Sequence, residues 1–338
     1  MSGLAQLTTA VETSTRGDAS GKMLVDIWYP VESSTPVSQK LLFAGPPGKP
    51  FFDAGSFASG APLADSPRAY PLIVLSHGTG GTGMQMAWLA RVLAEHGYIV
   101  AAPNHPGNNG LDKYTPQGFV LWWLRARDLS TTIDAMLADP RFGSHIDRSR
   151  IAAAGFSLGG YTMMEIAGAR TSVHQFAAAC KGRDGDPTCA GPPEFPNLDR
   201  QVHDLMQTDA AFRAAMAGDG ASYRDPRVRA VFAIAPALGM AVIQASLQAI
   251  DIPVKIVVGT KDPIVPGRIN GQRFARAIPG AEFEWIPDAV HYTFLDECTS
   301  AGAAALPQLC AEPGGADRAE VHARVAADVL AFMNRSLH

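Results

Sequence analysis

The chain has 338 residues, 47% of them hydrophobic and 18% charged, with a formal net charge of −4. That length and composition suit one large globular α/β domain or two small ones. The weak negative charge, with no basic cluster and no aromatic-interleaved patch, gives no reason to expect a nucleic-acid partner. No apolar run reaches the length of a membrane span, so no stable membrane insertion is expected.

Taken in order, residues 1–20 read as polar and irregular. The first amino acids offer neither a basic stretch nor an apolar one, so a secretory leader is absent or was removed. Residues 23–30 alternate well enough for an antiparallel strand, ended by Pro30. Residues 31–70, rich in Pro, Gly, Ser and Ala, read as a long surface excursion. Residues 71–76 form a short continuous apolar run, the pattern of a strand buried on both faces. It empties into a glycine-rich loop, 77–83. A helix over about 84–96 follows, stopped by Gly97. The next strand is 98–102, leading to a loop at 103–110 and a long helix over about 117–138.

Residue 151 opens a strand that runs into Gly155, Phe156, Ser157, Leu158 and Gly159. A helix is expected after it, over 161–169. Strand, tight turn and helix around G-x-S-x-G is the setting in which a serine is held at a sharp bend with its hydroxyl exposed. The flanking residues crowd each other there, and glycine has no Cβ to clash. The α/β rhythm then breaks over 171–227, an insertion that could serve as a cap, with a helix near 199–216. It resumes with a strand at 228–235, a helix near 239–249, a strand at 254–259, a helix near 270–277 and a last strand at 281–286. The final helix is expected over about 316–334. Alternating strands and helices predict one α/β domain over 1–338, with a mostly parallel sheet and helices on both faces.

Ligands of such sheets sit at the carboxyl ends of the strands. A serine hydroxyl there needs a base, and the base needs an acceptor to fix its tautomer. Of nine histidines, His77, His105 and His291 lie in strand-end loops. Only His291 follows the serine, after the last strand. Asp262, just past the strand at 254–259 and braced by Pro263, is the expected acceptor. Asp288 and Asp296 are rivals, but they lie so close to His291 in the chain that turn or cap roles suit them better. Backbone N–H groups of Leu158 and Thr79 are the candidate donors to an oxyanion.

Two alternatives come from other classes. Residues 78–83 also match G-x-G-x-x-G between a strand and a helix, the dinucleotide-binding setting. The following strand, however, ends without the acid a ribose needs. A dead hydrolase used as a binding protein is the second, and an intact Ser157, Asp262 and His291 set argues against it. There is no H-E-x-x-H and no paired ligand spacing, so no metal site is expected.

Four cysteines fall in two local pairs within loop-like stretches, Cys180 with Cys189 and Cys298 with Cys310. Two short-range disulfides are expected, each contributing ~2.5–3 kcal/mol on the chain-entropy estimate. They point to an oxidising compartment, periplasmic or secreted, with four free thiols in a cytoplasmic protein as the alternative.

The order Ser157, Asp262, His291 is the triad order of the α/β-hydrolases. Within that superfamily the chain resembles the bacterial predicted dienelactone hydrolases, relatives of the platelet-activating-factor acetylhydrolases. The resemblance rests on stretches at 25–30, 76–81, 104–108, 139–142, 155–160 and 291–295, so it covers nearly the whole chain. It implies an α/β-hydrolase fold with Ser157 as nucleophile, Asp262 as acid, His291 as base and Thr79 and Leu158 as oxyanion donors. True dienelactone hydrolases use cysteine where this chain has serine, so the resemblance implies serine-esterase behaviour. The expected activity is cleavage of a small-molecule carboxylic ester by a monomer, without cofactor. Short acyl chains are favoured because no long apolar lid helix is apparent. Lactone, amide, thioester and polyester bonds are the alternatives.

Overall fold

A computed structural model describes residues 3–13, 21–37, 39–181 and 187–337. The strands are β1 (Gly3–Glu12), β2 (Lys22–Val31), β3 (Gln39–Phe43), β4 (Phe52–Ser59), β5 (Tyr70–Ser76), β6 (Ile99–Pro103), β7 (Ile146–Phe156), β8 (Val228–Ile234), β9 (Val254–Gly259), β10 (Glu282–Ile286) and β11 (Glu297–Cys298). The helices before the insertion are α1 (Ala87–Glu95), α2 (Pro116–Val120), α3 (Leu124–Ala138) and α4 (Leu158–Ile166). The insertion carries α5 (Val173–Cys180), α6 (Leu198–Thr208) and α7 (Ala210–Met216). Beyond it come α8 (Gln244–Gln248), α9 (Gly271–Ala277), α10 (Ser300–Ala305), α11 (Pro307–Cys310) and α12 (Arg318–Ser336).

All eleven strands join one sheet in the order β10-β9-β8-β7-β5-β6-β2-β1-β4-β11, with β3 on β4. Strands β5 to β10 run parallel to one another, while β2 is antiparallel to β6 and β1 antiparallel to β2. The central strands β5 and β6 and the second half of β7 bury side chains on both faces, which is why they read as apolar runs, whereas the edge strand β10 alternates Glu with aromatic residues. In β5, Leu72 and Val74 join one core layer while Ile73 and Leu75 join the other. In β7, Ile151 and Ala153 alternate in the same way with Ala152 and Ala154. From β5 the chain steps outward to β6, then returns to the other side of β5 for β7. The order therefore reverses between β5 and β7, and a crevice opens at their carboxyl ends.

Three expectations need correction. Residues 3–12 are not irregular: β1 pairs with β2 over ten residues. Residues 14–20 of that stretch lie outside the described residues, as do 182–186 of the insertion. The excursion at 31–70 holds β3 and β4, which extend the sheet edge and receive β11 from near the C-terminus. The long helix at 117–138 is broken. Thr115 caps α2 by accepting from the Gly118 N–H, and the Trp122 indole N–H donates to the Phe119 carbonyl at 2.6 Å. Residues 121–123 leave the helix so that Leu121 and Trp123 can bury against Val173, Ala215 and Tyr223 of the insertion. That burial outweighs the hydrogen bonds a continuous helix would have kept. No helix among the described residues is long and apolar enough to cross a membrane.

Candidate active site

Ser157 sits between β7 and α4 with φ 57° and ψ −117°. A serine pays for this backbone in strain, so the surroundings must hold it there. Its N–H donates to the Ile234 carbonyl at 2.9 Å, and its carbonyl accepts from Tyr161 at 3.0 Å and Ala237 at 3.1 Å. The glycines are required by close approach. A Cβ at Gly159 would lie 1.8 Å from the Ser76 carbonyl oxygen, and one at Gly155 would lie 2.4 Å from the Gly159 carbonyl oxygen. At Gly160 a Cβ would meet the Pro236 Cα at 2.8 Å.

The structure brings Ser157, His291 and Asp262 together from three strand ends. Ser157 Oγ lies 2.9 Å from His291 Nε2, and His291 Nδ1 lies 2.7 Å from Asp262 Oδ2. A carboxylate can only accept, so Nδ1 carries the proton and Nε2 of the neutral ring is free to accept from the serine. Asp262 is itself fixed, because its Oδ1 accepts from the N–H groups of Ile264 at 2.9 Å and Val265 at 2.8 Å. The His291 ring leans on Phe156 with centroids 4.8 Å apart. Both His291 and Asp262 are buried, and Ser157 is 8% exposed.

The loop carrying His291 is held from behind. The Thr293 hydroxyl accepts from the Val290 N–H at 3.0 Å and donates to Glu312. The buried Arg318 donates to Glu312 at 2.7 Å, to the Asp296 carbonyl at 2.9 Å and to the Leu309 carbonyl at 2.8 Å. Cys298 and Cys310 are joined by a disulfide that closes the segment just after this loop, and Cys180 is joined to Cys189 at the end of α5.

The rival aspartates are elsewhere. Asp288 forms a surface ion pair with Lys261 at 2.8 Å. Asp296 is buried at the start of α1, where it accepts from the Trp88 N–H at 2.8 Å and the Ala87 N–H at 3.3 Å. Burial pushes its carboxyl well above the usual range.

Leu158 is the first residue of α4, with its N–H at the helix N-terminus beside the serine. Thr79 follows Gly78, whose added Cβ would lie 3.2 Å from Ser157 Cβ. Among the described residues no hydrogen-bond acceptor is placed on either N–H. The rest of this glycine loop is occupied from within. Gly78 N–H donates to Gln85 Oε1, Gly80 N–H to Asn108 Oδ1 and Gly83 N–H to Asn104 Oδ1, at 2.7, 2.7 and 2.8 Å. Those are the groups a pyrophosphate would use, which removes the support for a dinucleotide site.

Reading the sequence missed the polar residues behind this loop. His77 and His105 precede Ser157, so chain order alone does not select them. Yet His105 joins Ser76 at 2.8 Å and Asp128 at 2.7 Å, and all three are buried. Both histidines stand at strand ends, which was the available signal. Ser76 likewise ends a strand, whereas Asp128, inside α3, carries no such signal.

Fold and site together define an α/β-hydrolase. The family model described as "Serine aminopeptidase, S33" matches residues 67–298, and the chain belongs to that family. Over 108 residues it is 36% identical to cutinase est1 of Thermobifida alba, covering 31% of this chain and 33% of that protein. Over 113 residues it is 34% identical to dipeptidyl-peptidase 5 of Porphyromonas gingivalis, covering 32% of this chain and 16% of that protein. The matches therefore span a third or less of these relatives' length. A ferulic acid esterase from Streptomyces cinnamoneus superposes with a TM-score of 0.61 at 18% identity, covering 99% of this chain and 89% of that one. At that identity the likeness concerns the fold.

Proposed function

We propose that the protein is a serine esterase that cleaves carboxylic esters through an acyl-enzyme. The observation that carries this is the unbroken Ser157–His291–Asp262 hydrogen-bond chain, on a serine held at positive φ. Ser157 Oγ attacks the ester carbonyl carbon while His291 Nε2 takes its proton. The carbonyl oxygen becomes an oxyanion facing the N–H groups of Leu158 and Thr79. The tetrahedral intermediate expels the alcohol, which leaves with the proton from His291. Water then repeats the sequence on the acyl-serine and restores the hydroxyl. Asp262 holds the ring tautomer and stabilises the imidazolium, and no cofactor takes part.

The cutinase relatives support an ester as the scissile bond. The resemblance to predicted dienelactone hydrolases and platelet-activating-factor acetylhydrolases, with serine at the nucleophile position, supports serine-esterase behaviour. The insertion at 171–227 acts as the cap. Phe195 packs edge-on against Phe119 at 5.3 Å, near Tyr114, and Glu194 approaches Gly80 of the loop before the nucleophile. The longest insertion helix, α6, has 11 residues and a largely polar surface, which supports short acyl chains rather than a lipase-type lid. The two disulfides support a periplasmic or secreted location.

The test is a p-nitrophenyl ester series from acetate to laurate on wild type and Ser157→Ala. Turnover highest at short chains and lost in a folded Ser157→Ala is expected. Turnover retained in the variant would refute the assignment.

A further inference from the structure

Behind the loop that precedes Ser157 lies a second Ser–His–Asp chain. Ser76 ends β5, His105 follows β6 and Asp128 lies on α3. Ser76 Oγ is 2.8 Å from His105 Nε2, and His105 Nδ1 is 2.7 Å from Asp128 Oδ2. The order of groups matches the proposed catalytic set, but all three residues are 0% exposed. No substrate reaches them, so this relay is not a second catalytic centre.

Its outlet is the backbone of His105, whose N–H donates to His77 Nε2 at 3.1 Å. That bond requires a lone pair on Nε2, so the neutral His77 ring carries its proton on Nδ1. Nδ1 lies 2.7 Å from the Gly78 carbonyl and donates to it. Burial and the nearby Arg125 guanidinium hold His77 well below the usual imidazole range, so the ring stays neutral. Arg125, three residues before Asp128 on the same face of α3, donates from Nη2 to the His77 carbonyl. Gln85 accepts the Gly78 N–H at 2.7 Å. Every backbone polar group from the His77 carbonyl to the Gly78 carbonyl is thereby clamped.

The next group is the Thr79 N–H. In a trans peptide the carbonyl and the following N–H point in opposite directions. Pinning the Gly78 carbonyl onto His77 therefore turns the Thr79 N–H away from that ring. We propose that His77, held by the Ser76–His105–Asp128 relay and by Arg125, is a positioning residue that fixes the Thr79 N–H as an oxyanion donor. The inference rests on the serine-esterase reading. Its physical content is preorganisation: a donor already aimed costs no reorientation when charge develops.

The test uses His77→Phe, which keeps a ring and removes both nitrogens, and Ser76→Ala, a smaller change at the far end of the relay. Gln85→Met, at a half-buried site, serves if the first variant does not fold. Each is assayed with p-nitrophenyl acetate and with an alkyl trifluoromethyl ketone. The ketone's carbonyl carbon bonds to Ser157 Oγ, the serine proton passes to His291, and the oxygen becomes an oxyanion in the hole. Fluorine NMR of that adduct reads the hole directly, whether or not the chosen ester is turned over.

For His77→Phe, kcat should fall about 10- to 100-fold with KM changed less than about twofold, and ketone affinity should weaken by the same factor as kcat. Ser76→Ala and Gln85→Met should show smaller losses of the same kind. Unchanged ketone affinity in the folded variants, or losses confined to KM, would overturn the proposal. Failure of the serine-esterase reading looks different: wild type would form no ketone adduct at Ser157.

Discussion

Gly159→Ala puts the greatest demand on the nucleophile turn. The added Cβ would lie 1.8 Å from the Ser76 carbonyl oxygen, 2.5 Å from the Ser76 carbonyl carbon and 2.8 Å from the His77 carbonyl oxygen. All three are backbone atoms of the strand end and loop that face Ser157, so no side chain can rotate aside. Relief needs a backbone shift of at least about 1 Å between β5 and the first turn of α4, far outside ordinary contact distances. Overpacking of this kind typically costs about 1–3 kcal/mol. The shift also moves Ser157 Oγ and the Leu158 N–H relative to Thr79, and a misplacement of about 1 Å can cost on the order of 100-fold in rate. The assay pairs kcat/KM on p-nitrophenyl acetate with urea denaturation. Severity should follow the contact distances, Gly159→Ala worst, then Gly155→Ala at 2.4 Å and Gly160→Ala at 2.8 Å. A Gly159→Ala protein with wild-type kcat/KM and stability would refute the steric argument.

Asp262→Asn should lower kcat by on the order of 1,000- to 10,000-fold while the fold survives. The amide oxygen stays on the Ile264 and Val265 N–H groups, which turns the NH2 toward His291 Nδ1 and leaves the proton on Nε2, where it blocks the base. A circular-dichroism melt matching wild type beside near-normal kcat would contradict this. On the nucleophile helix α4, Glu165 is fully buried beside Tyr161 and Thr171, and burial pushes its carboxyl up to about 8 from 4.5. The folded state therefore holds a proton that the unfolded state releases first. Stability is fully present below about pH 4.5 and declines as pH rises through 8, by on the order of a few kcal/mol. Glu165→Gln should flatten that decline in urea midpoints measured from pH 5 to 8.5; an unchanged slope would mean the group does not titrate there. Removing the Cys298–Cys310 bridge, whose cysteines are 12 apart, should cost about 3 kcal/mol and lower activity by loosening the His291 loop. The Cys180–Cys189 pair, at the insertion, should affect activity less when replaced by serines.

Strands buried on both faces were legible because they need no partner to announce them. The run at 71–75 in β5 and the second half of β7, 151–156, are unbroken by charge, β8 and β9 are interrupted only by Arg229 and Lys255, and the turn at Ser157 is bounded by glycines that close approach demands. Ser157, Asp262 and His291 could be chosen because each follows a parallel strand and all such ends share one rim. By contrast, β1, β3 and β4 alternate weakly, carry polar and small residues, and are strands only because a neighbour's edge pairs with them. The break at 121–123 depends on side chains of the insertion, nearly a hundred residues away in part, so no local pattern foretells it. The Ser76–His105–Asp128 relay joins the end of β5, the loop after β6 and a helix that only the β5–β6–α3 arrangement brings together. It uses the same residue types as the active site, without any motif to mark it.

The most direct test of the central claim is intact-mass and peptide mapping after treatment with a fluorophosphonate. The Ser157 hydroxyl should displace fluoride and gain one phosphonyl group, with loss of ester turnover in step with labelling. Ser157→Ala should take up none. Labelling at another residue, or ester turnover that survives full modification of Ser157, would contradict the account.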